Sequence, residues 1–487
     1  MIDETVKIHN NYSIEIKLGF VARKKLRRSE FAVNTWMFIP NSLDINPATY
    51  EKKDFYRDLK SNIRLITPVY LLRDIADGPR SPLINLEKAF HDLATSPTRT
   101  NITEYEYHIK MFLSIFKSSL RNETIHICNN KFRDDHDFLI DEFASNIYTI
   151  TTEYRNLRRI INVPTIQADL MNYYLFGDEF MSNVLEQHTF RILRHLDQTD
   201  ERINPPSRSK LLDIIKRERG YKTDKKYMVT ADKQAEQNRE LLHRLNLLKK
   251  YAENVLFLST RKKKDGIFKE QIYYSIAAGL SMVFATAIAF SFQMKYGNFT
   301  MPFFVALVVS YMLKDRIKEL SRYYFAHRLG RGYFDHKTKI SLNLNKIGWS
   351  KEAMDFITEQ KVPDEVLRIR NRSAILEADN RNNDEKIILY RKLVKLNRNS
   401  LDQCGVYQIA GINDIIRFNI SNFTNKMDNP EVPLHYLGVG NRPLLVNGEK
   451  IYYLNLIMQL RYEGQITYKR YRLVVNRDGI KQVETFD

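Results

Sequence analysis

The sequence predicts a membrane protein of the α+β class. A two-helix transmembrane hairpin lies between an N-terminal α+β and helical-bundle region and a C-terminal antiparallel β domain. Three observations carry this. Ile272 to Met294 runs for 23 residues without Asp, Glu, Lys or Arg, and a second apolar run, Phe299 to Leu313, follows after a short turn. Phe143, Ile147, Ile150, Tyr154, Leu157 and Ile161 recur at steps of four and three, the seam of a packed helix. Tyr452, Leu454, Leu456, Met458 and Leu460 alternate with other residues, the pattern of a strand with one buried face.

Taken in order, residues 1–75 read as a small α+β unit. TVKIHNNYSIEIKLGF and FAVNTWMFIP are β-like, separated by a basic cluster at 23–28. Residues 76–220 read as a helical bundle. One helix carries Tyr105, Ile109, Phe112, Phe116 and Leu120 behind a Thr103 cap, the seam helix follows to Pro164, and a third runs from Ala168 to Leu196. Residues 221–271 read as a juxtamembrane helical stalk through Leu241, Leu245, Leu248, Ala252 and Val255, with Asp265-Gly266 as a break before the span. The hairpin occupies 272–313, and 314–349 form a helical extension and linker. Residues 350–487 form the C-terminal domain, opening with the helical segments SKEAMDFITEQ and DEVLRIRN. Its five strands are EKIILYRKLVKL, INDIIRFNIS, IYYLNLIMQLRY, ITYKRYRLVV and IKQVETF.

The first run is long enough to cross the hydrocarbon of a bilayer as a helix, and the second reaches only if its flanks snorkel. Arg261, Lys262, Lys263 and Lys264 precede the first span, and Lys314, Arg316 and Lys318 follow the second, against Lys295 alone in the turn. Cations stay on the cytoplasmic side, so both termini are expected there and the turn outside. Ala277, Ser281, Ala285 and Ala289 form one ladder of small residues, and Ser275 and Gly279 start another. Such ladders let a second helix approach closely, within the chain or in an oligomer.

The formal net charge is +18, and the densest cation clusters abut the spans. Topology and lipid headgroups account for that balance ahead of nucleic acid. Cys128 and Cys404 lie far apart and read as free thiols of a reducing compartment. The opening MIDETVKIHNNYS has no apolar core, so the first span is expected to serve as the insertion signal. With the Asn, Ile, Lys and Tyr usage, this suits a bacterial inner membrane.

No nucleotide, hydrolase or zinc-protease motif is present, and no cofactor is implied. Gly438-Val439-Gly440 is a lone GxG in a loop. Asp134, Asp135, His136 and Asp137 open a helix, where acids suit the dipole; Asp135, His136 and Asp137 are the candidates for acid–base or metal chemistry. His188 and His195 share a helix face without an acidic partner at matching spacing.

The turn KYGNFTMP resembles the periplasmic loop of CorA-type magnesium channels, whose signature is Gly-Met-Asn between two C-terminal spans. Tyr296, Gly297, Asn298, Phe299 and Pro302 carry the resemblance. No Met separates Gly297 from Asn298, and a long chain follows Leu313 where that family ends. The resemblance implies a ring of subunits conducting cations past Tyr296, Gly297 and Asn298. The leading expectation is a membrane-anchored scaffold, sensor or regulator without catalysis, binding the bilayer and either copies of itself or a partner protein. An oligomeric channel and an enzyme with a dispersed site are the alternatives.

Overall fold

Strand pairing, more than chain order, divides this protein. The computed structural model describes all residues except 24–25, 79–80, 131, 165, 199–204, 233, 298–299, 331–333, 343–344, 374, 376–384, 404 and 487, and the side chains of 133, 134, 205, 269 and 325–330. Three strands open it, β1 (Ile2–Asn10), β2 (Ser13–Val21) and β3 (Arg28–Ile39), followed by α1 (Lys52–Asp58) and β4 (Leu59–Leu65). Helices α2 (Pro82–Thr95), α3 (Arg99–Asn129), α4 (Arg133–Asn156), α5 (Arg158–Ile161), α6 (Ala168–Gln198), α7 (Pro205–Asp224) and α8 (Ala235–Glu253) come next. Then follow β5 (Ser259–Lys264), α9 (Ile267–Tyr296), α10 (Met301–Gly330), β6 (His336–Leu342), β7 (Asn345–Ile357) and α11 (Asp364–Arg370). The chain closes with β8 (Lys386–Asn397), α12 (Arg398–Asp402), β9 (Gly411–Asn419), α13 (Ser421–Thr424), β10 (Glu431–Leu437), β11 (Pro443–Glu449), β12 (Tyr452–Tyr462), β13 (Gln465–Asn476) and β14 (Gly479–Phe486).

Two compact units result. The first joins Met1–Ile63, Leu258–Cys404 and Gly411–Asp487; the second joins Arg64–Phe257 and Gly405–Ala410. The first unit holds an eight-stranded sheet, order β14-β13-β12-β3-β8-β7-β6-β5, and a four-stranded sheet, order β1-β2-β9-β4. They pack face to face through rings from both sheets. Phe20 meets Phe31 at 5.3 Å, and Phe55 meets Tyr390 at 5.5 Å and Phe418 at 5.6 Å. An apolar cavity of about 30 Å³ between Ile16, Leu18, Val33, Met37, Ile388 and Met458 is too small for any ligand larger than a water. On the outer face, Val362 and Val366 at the start of α11 close over Trp36, Phe38, Ile387 and Ile457.

The expected division into a 1–75 unit and a 350–487 domain differs from this. Strand β3 is central: Arg28–Ile39 pairs with Asn397–Lys386, and Phe31–Phe38 with Tyr462–Asn455. The five C-terminal strands read from sequence are β8, β9, β12, β13 and β14. Residues 350–357, read as helix, are the second half of β7, held between β6 and β8. The expected stalk ends at Glu253, and 259–264 is the edge strand β5; β6 and β7 occupy the expected linker. Hairpin β10–β11 carries the Gly438-Val439-Gly440 loop at its tip.

In the second unit, α3 and α6 are the longest helices and bury the core. All six seam residues of α4 and α5 are buried. Phe112, Tyr154 and Tyr174 stack at 5.5 and 5.2 Å. The Tyr154 hydroxyl donates to the Tyr174 carbonyl at 3.1 Å, and Gly177 leaves room for it, since a Cβ there would lie 2.1 Å from that oxygen. Thr98, not Thr103, caps α3; the Thr103 hydroxyl bonds back to the Arg99 carbonyl inside the helix.

Candidate functional site

The helix pair α9–α10 is inserted where an ordinary β-hairpin would turn. Strand β5 ends at Lys264, β6 begins at His336, and these two residues are paired. Gly266, at φ +80°, turns the chain from strand into helix, as the sequence break at Asp265-Gly266 foretells. The two helices lie against each other through small residues. Ala277 and Ser281 of α9 and Ala306 and Ser310 of α10 are buried, and Ala285 and Ala289 are half-buried. Ser275 and Gly279, the neighbouring ladder, are exposed.

Between Ile272 and Leu313 most of the remaining described surface of the pair is apolar and open. Leu280, Val283, Phe290, Met294, Phe304 and Met312 are all more than half exposed. Among the described residues α9 is the one helix able, by length and composition, to cross a membrane; 17% of its most apolar stretch is buried, whereas the core helix of a soluble protein is mostly buried. Its hydroxyls make no demand on water. Ser275, Ser281, Thr286 and Ser291 each donate to a carbonyl of the preceding turn, at 2.8 to 2.9 Å. The Lys314 ammonium lies 3.6 Å from the Tyr311 ring centroid, and the Arg322 guanidinium 5.5 Å from that of Tyr274 on α9. Arg316 pairs with Glu319 on the exposed side, and Lys318 is half-buried. Tyr296 ends α9 and Gly297 turns at φ +77°, whereas Asn298 and Phe299 lie outside the described residues.

Beneath the roots of this pair sits a network of ionic side chains. Alternation along β8 turns Ile388, Tyr390, Lys392, Val394 and Leu396 inward, which places a lysine in a core row. Lys392 donates to Glu352 Oε1 at 2.9 Å and also meets Asp414. Lys262 donates to Glu352 Oε2 at 3.2 Å, and Ser61 to Asp414 Oδ1 at 2.6 Å. Burial opposes ionisation of Glu352, but Lys392 and Lys262 outweigh it and hold the carboxyl down to about 2. Burial likewise opposes the Lys392 charge, and Asp414 and Glu352 outweigh it, so its pKa rises.

Separate ion pairs hold the helix roots. Asp265, just before α9, pairs with Lys351 at 2.7 Å. Asp335, just before β6, accepts from Lys52 at 2.8 Å, Tyr56 at 2.9 Å and the Met354 amide at 2.8 Å. Lys52 also reaches Asp355 at 3.1 Å, which Arg391 meets at 2.8 Å. The four cations before α9 therefore divide by face. Lys262 turns inward to Glu352 and Lys264 to Glu270 at 3.2 Å, while Arg261 and Lys263 share the opposite, outer face of β5. Sequence reasoning missed this network because its members are scattered; its one local signal is a lysine in the apolar phase of β8.

The other candidates are dispersed. Asp137 accepts a hydrogen bond from Ser207, His136 Nε2 lies 3.1 Å from the Asn130 carbonyl, and Asp135 is exposed. The side chain of Asp134 lies outside the description. Among the described residues no group of three or more His, Cys, Asp and Glu is placed to hold a metal ion. His188 Nδ1 sits 3.1 Å from Thr124 Oγ1, and burial together with neighbouring cations pushes its pKa down to about 4. Cys128 is a half-buried free thiol; Cys404 lies outside the described residues.

Comparison of the chain with protein-family models, with curated proteins and with solved structures gives no match.

Proposed function

We propose that the chain is a two-pass membrane protein, both termini cytoplasmic, that acts as a scaffold, sensor or regulator rather than an enzyme. The α9–α10 pair is its anchor and the bilayer, with the bacterial inner membrane as its setting, is its first partner. The observation that carries this reading is a helix pair whose exposed surface between Ile272 and Leu313 is largely apolar, with small residues buried where the helices meet. In water that surface would be a strong aggregation liability; in lipid it is the expected exterior. Cations flanking the roots fit the cytoplasmic side. The ion pairs at the roots supply a means of regulation. Asp265 and Asp335 tie the two helix roots to strands and to α1, so a shift of the pair would change the ionic contacts at the edge of the eight-stranded sheet.

The channel reading has less support. Its pore face would need the small-residue ladder for assembly, and Ala277 and Ser281 are already occupied within the chain. The enzyme reading rests on Asp135, His136 and Asp137, whose observed contacts are local to the start of α4 and to α7.

Deletion tests the proposal. Replacing residues 267–333 by a four-residue Gly/Asn turn restores a plain β5–β6 hairpin, because Lys264 and His336 are already partners. The full chain should sediment with membranes and resist alkaline carbonate, and the deletion variant should be soluble with unchanged strand content by circular dichroism. A full chain that stays in the soluble fraction would overturn the anchor.

A further inference from the structure

The outer face of the eight-stranded sheet carries a second feature, independent of the membrane reading. A cleft of about 360 Å³ opens there among Arg28, Lys346, Gly348, Trp349, Lys395 and Asn397. Register builds it. Trp349 of β7 is paired with Lys395 of β8, and Asn397 of β8 with Arg28 of β3, so the indole, two cations and a carboxamide meet on neighbouring strands. Cross-strand partners stand side by side on one face of an antiparallel sheet.

Its chemistry is one-sided. Three cations line the cleft, and among the described residues no acid does. Arg28 and Lys346 are exposed and have no ion pair among the described residues, and Lys395 is held at 2.8 Å by the half-exposed Glu30, from which an anion can take it. Lys337 places its ammonium 5.4 Å from the Trp349 ring centroid and adds to the positive field; Lys351, at 5.6 Å, is paired with Asp265. Asn397 also lines the cleft; its Oδ1 is buried and has no hydrogen-bond partner among the described residues. The volume exceeds what a bare phosphate fills and falls in the range of small-ligand sites. A flat ring for the indole and negative charge for three cations together describe one class of molecule.

We propose that this cleft binds a nucleoside phosphate, its base against Trp349 and its phosphates on Arg28, Lys346 and Lys395. The chain has two tryptophans, and the other, Trp36, is buried in the core, so quenching of intrinsic fluorescence reports the cleft. The experiment titrates the full chain in nanodiscs with ATP, GTP, CTP and UTP in turn, and with inorganic triphosphate. Saturable quenching is expected for at least one nucleotide with Kd below about 1 mM. Inorganic triphosphate and the Trp349→Ala variant should each bind about 10-fold more weakly or worse. Arg28→Glu with Lys346→Glu should weaken nucleotide binding by at least as much while leaving the melting temperature unchanged, since both side chains are exposed. Trp349→Phe should lose the optical signal and keep binding by equilibrium dialysis. Dialysis and fluorescence that both show no saturation to about 5 mM would overturn the proposal. So would inorganic triphosphate binding as tightly as the nucleotides, or a single-stranded oligonucleotide binding far more tightly than any of them.

Discussion

Lys392 shows what one side chain commits the surrounding fold to. It is fully buried, and its charge is tolerable only because Glu352 and Asp414 are beside it. Lys392→Met is expected to cost about 3–5 kcal/mol in denaturant unfolding, because it leaves buried Asp414 without its cation and Glu352 with Lys262 alone. Lys392→Met combined with Glu352→Gln and Asp414→Asn should recover part of that loss. The pH dependence has a definite sign. Glu352 is held down to about 2, so its contribution is complete above its ordinary value of 4.5 and is lost as pH falls from there through 2. Lys392 is raised above its ordinary 10.5, so its contribution holds below that value and is lost only at more alkaline pH. The helical unit behaves differently. Burial, with Lys88 nearby, pushes His108 down to about 4, and His188 is pushed to about 4 as described. The unfolded chain takes up protons near pH 6.5 while the folded unit refuses them, so stability should fall between pH 6.5 and 4. His108→Gln with His188→Gln should flatten that slope in thermal unfolding followed at each pH.

At the scale of elements, packing explains which parts of the sequence were legible. The seam of α4 and α5 was readable because six apolar residues keep a helical step and all are buried. Strands β8 and β12 were readable from alternation. Strand β7 was not: Lys351, Glu352, Ala353 and Met354 favour a helix, and pairing between β6 and β8 overrides that preference. Residues of β10 and β11 gave no clear signal because Pro433 interrupts β10, neither strand has a buried face, and both lie outside the main sheets. Gly177 is the tightest point among the helices. Gly177→Ala puts a methyl onto the Tyr154 hydroxyl, and the expected loss is about 1–3 kcal/mol. Gly177→Ala with Tyr154→Phe should cost less than the sum of the two single changes, which a double-mutant cycle in denaturant measures.

For the whole molecule, the hairpin was the clearest feature of the sequence and the partnership of the two chain ends the least. A run of 23 residues without a charge is a local signal. The pairing of β3 with β8 and β12 joins residues hundreds of positions apart and leaves no local trace. The same holds for the ion network, whose members at 61, 262, 352, 392 and 414 meet only when both sheets are assembled. Placing α9 and α10 between two paired strands means that whatever the helices experience is delivered to the edge of an eight-stranded sheet. That arrangement is the physical basis of the proposed anchored sensor or scaffold, and the proposal depends on the helices crossing the bilayer. The most direct test is maleimide labelling in intact bacterial cells expressing the chain, on a Cys128→Ser, Cys404→Ser background. Lys295→Cys, at the turn, should react with a membrane-impermeant maleimide from outside, and Lys339→Cys, on β6, should react only after lysis. Protection of Lys295→Cys in intact cells, or equal labelling of both positions, would contradict the two-pass anchor.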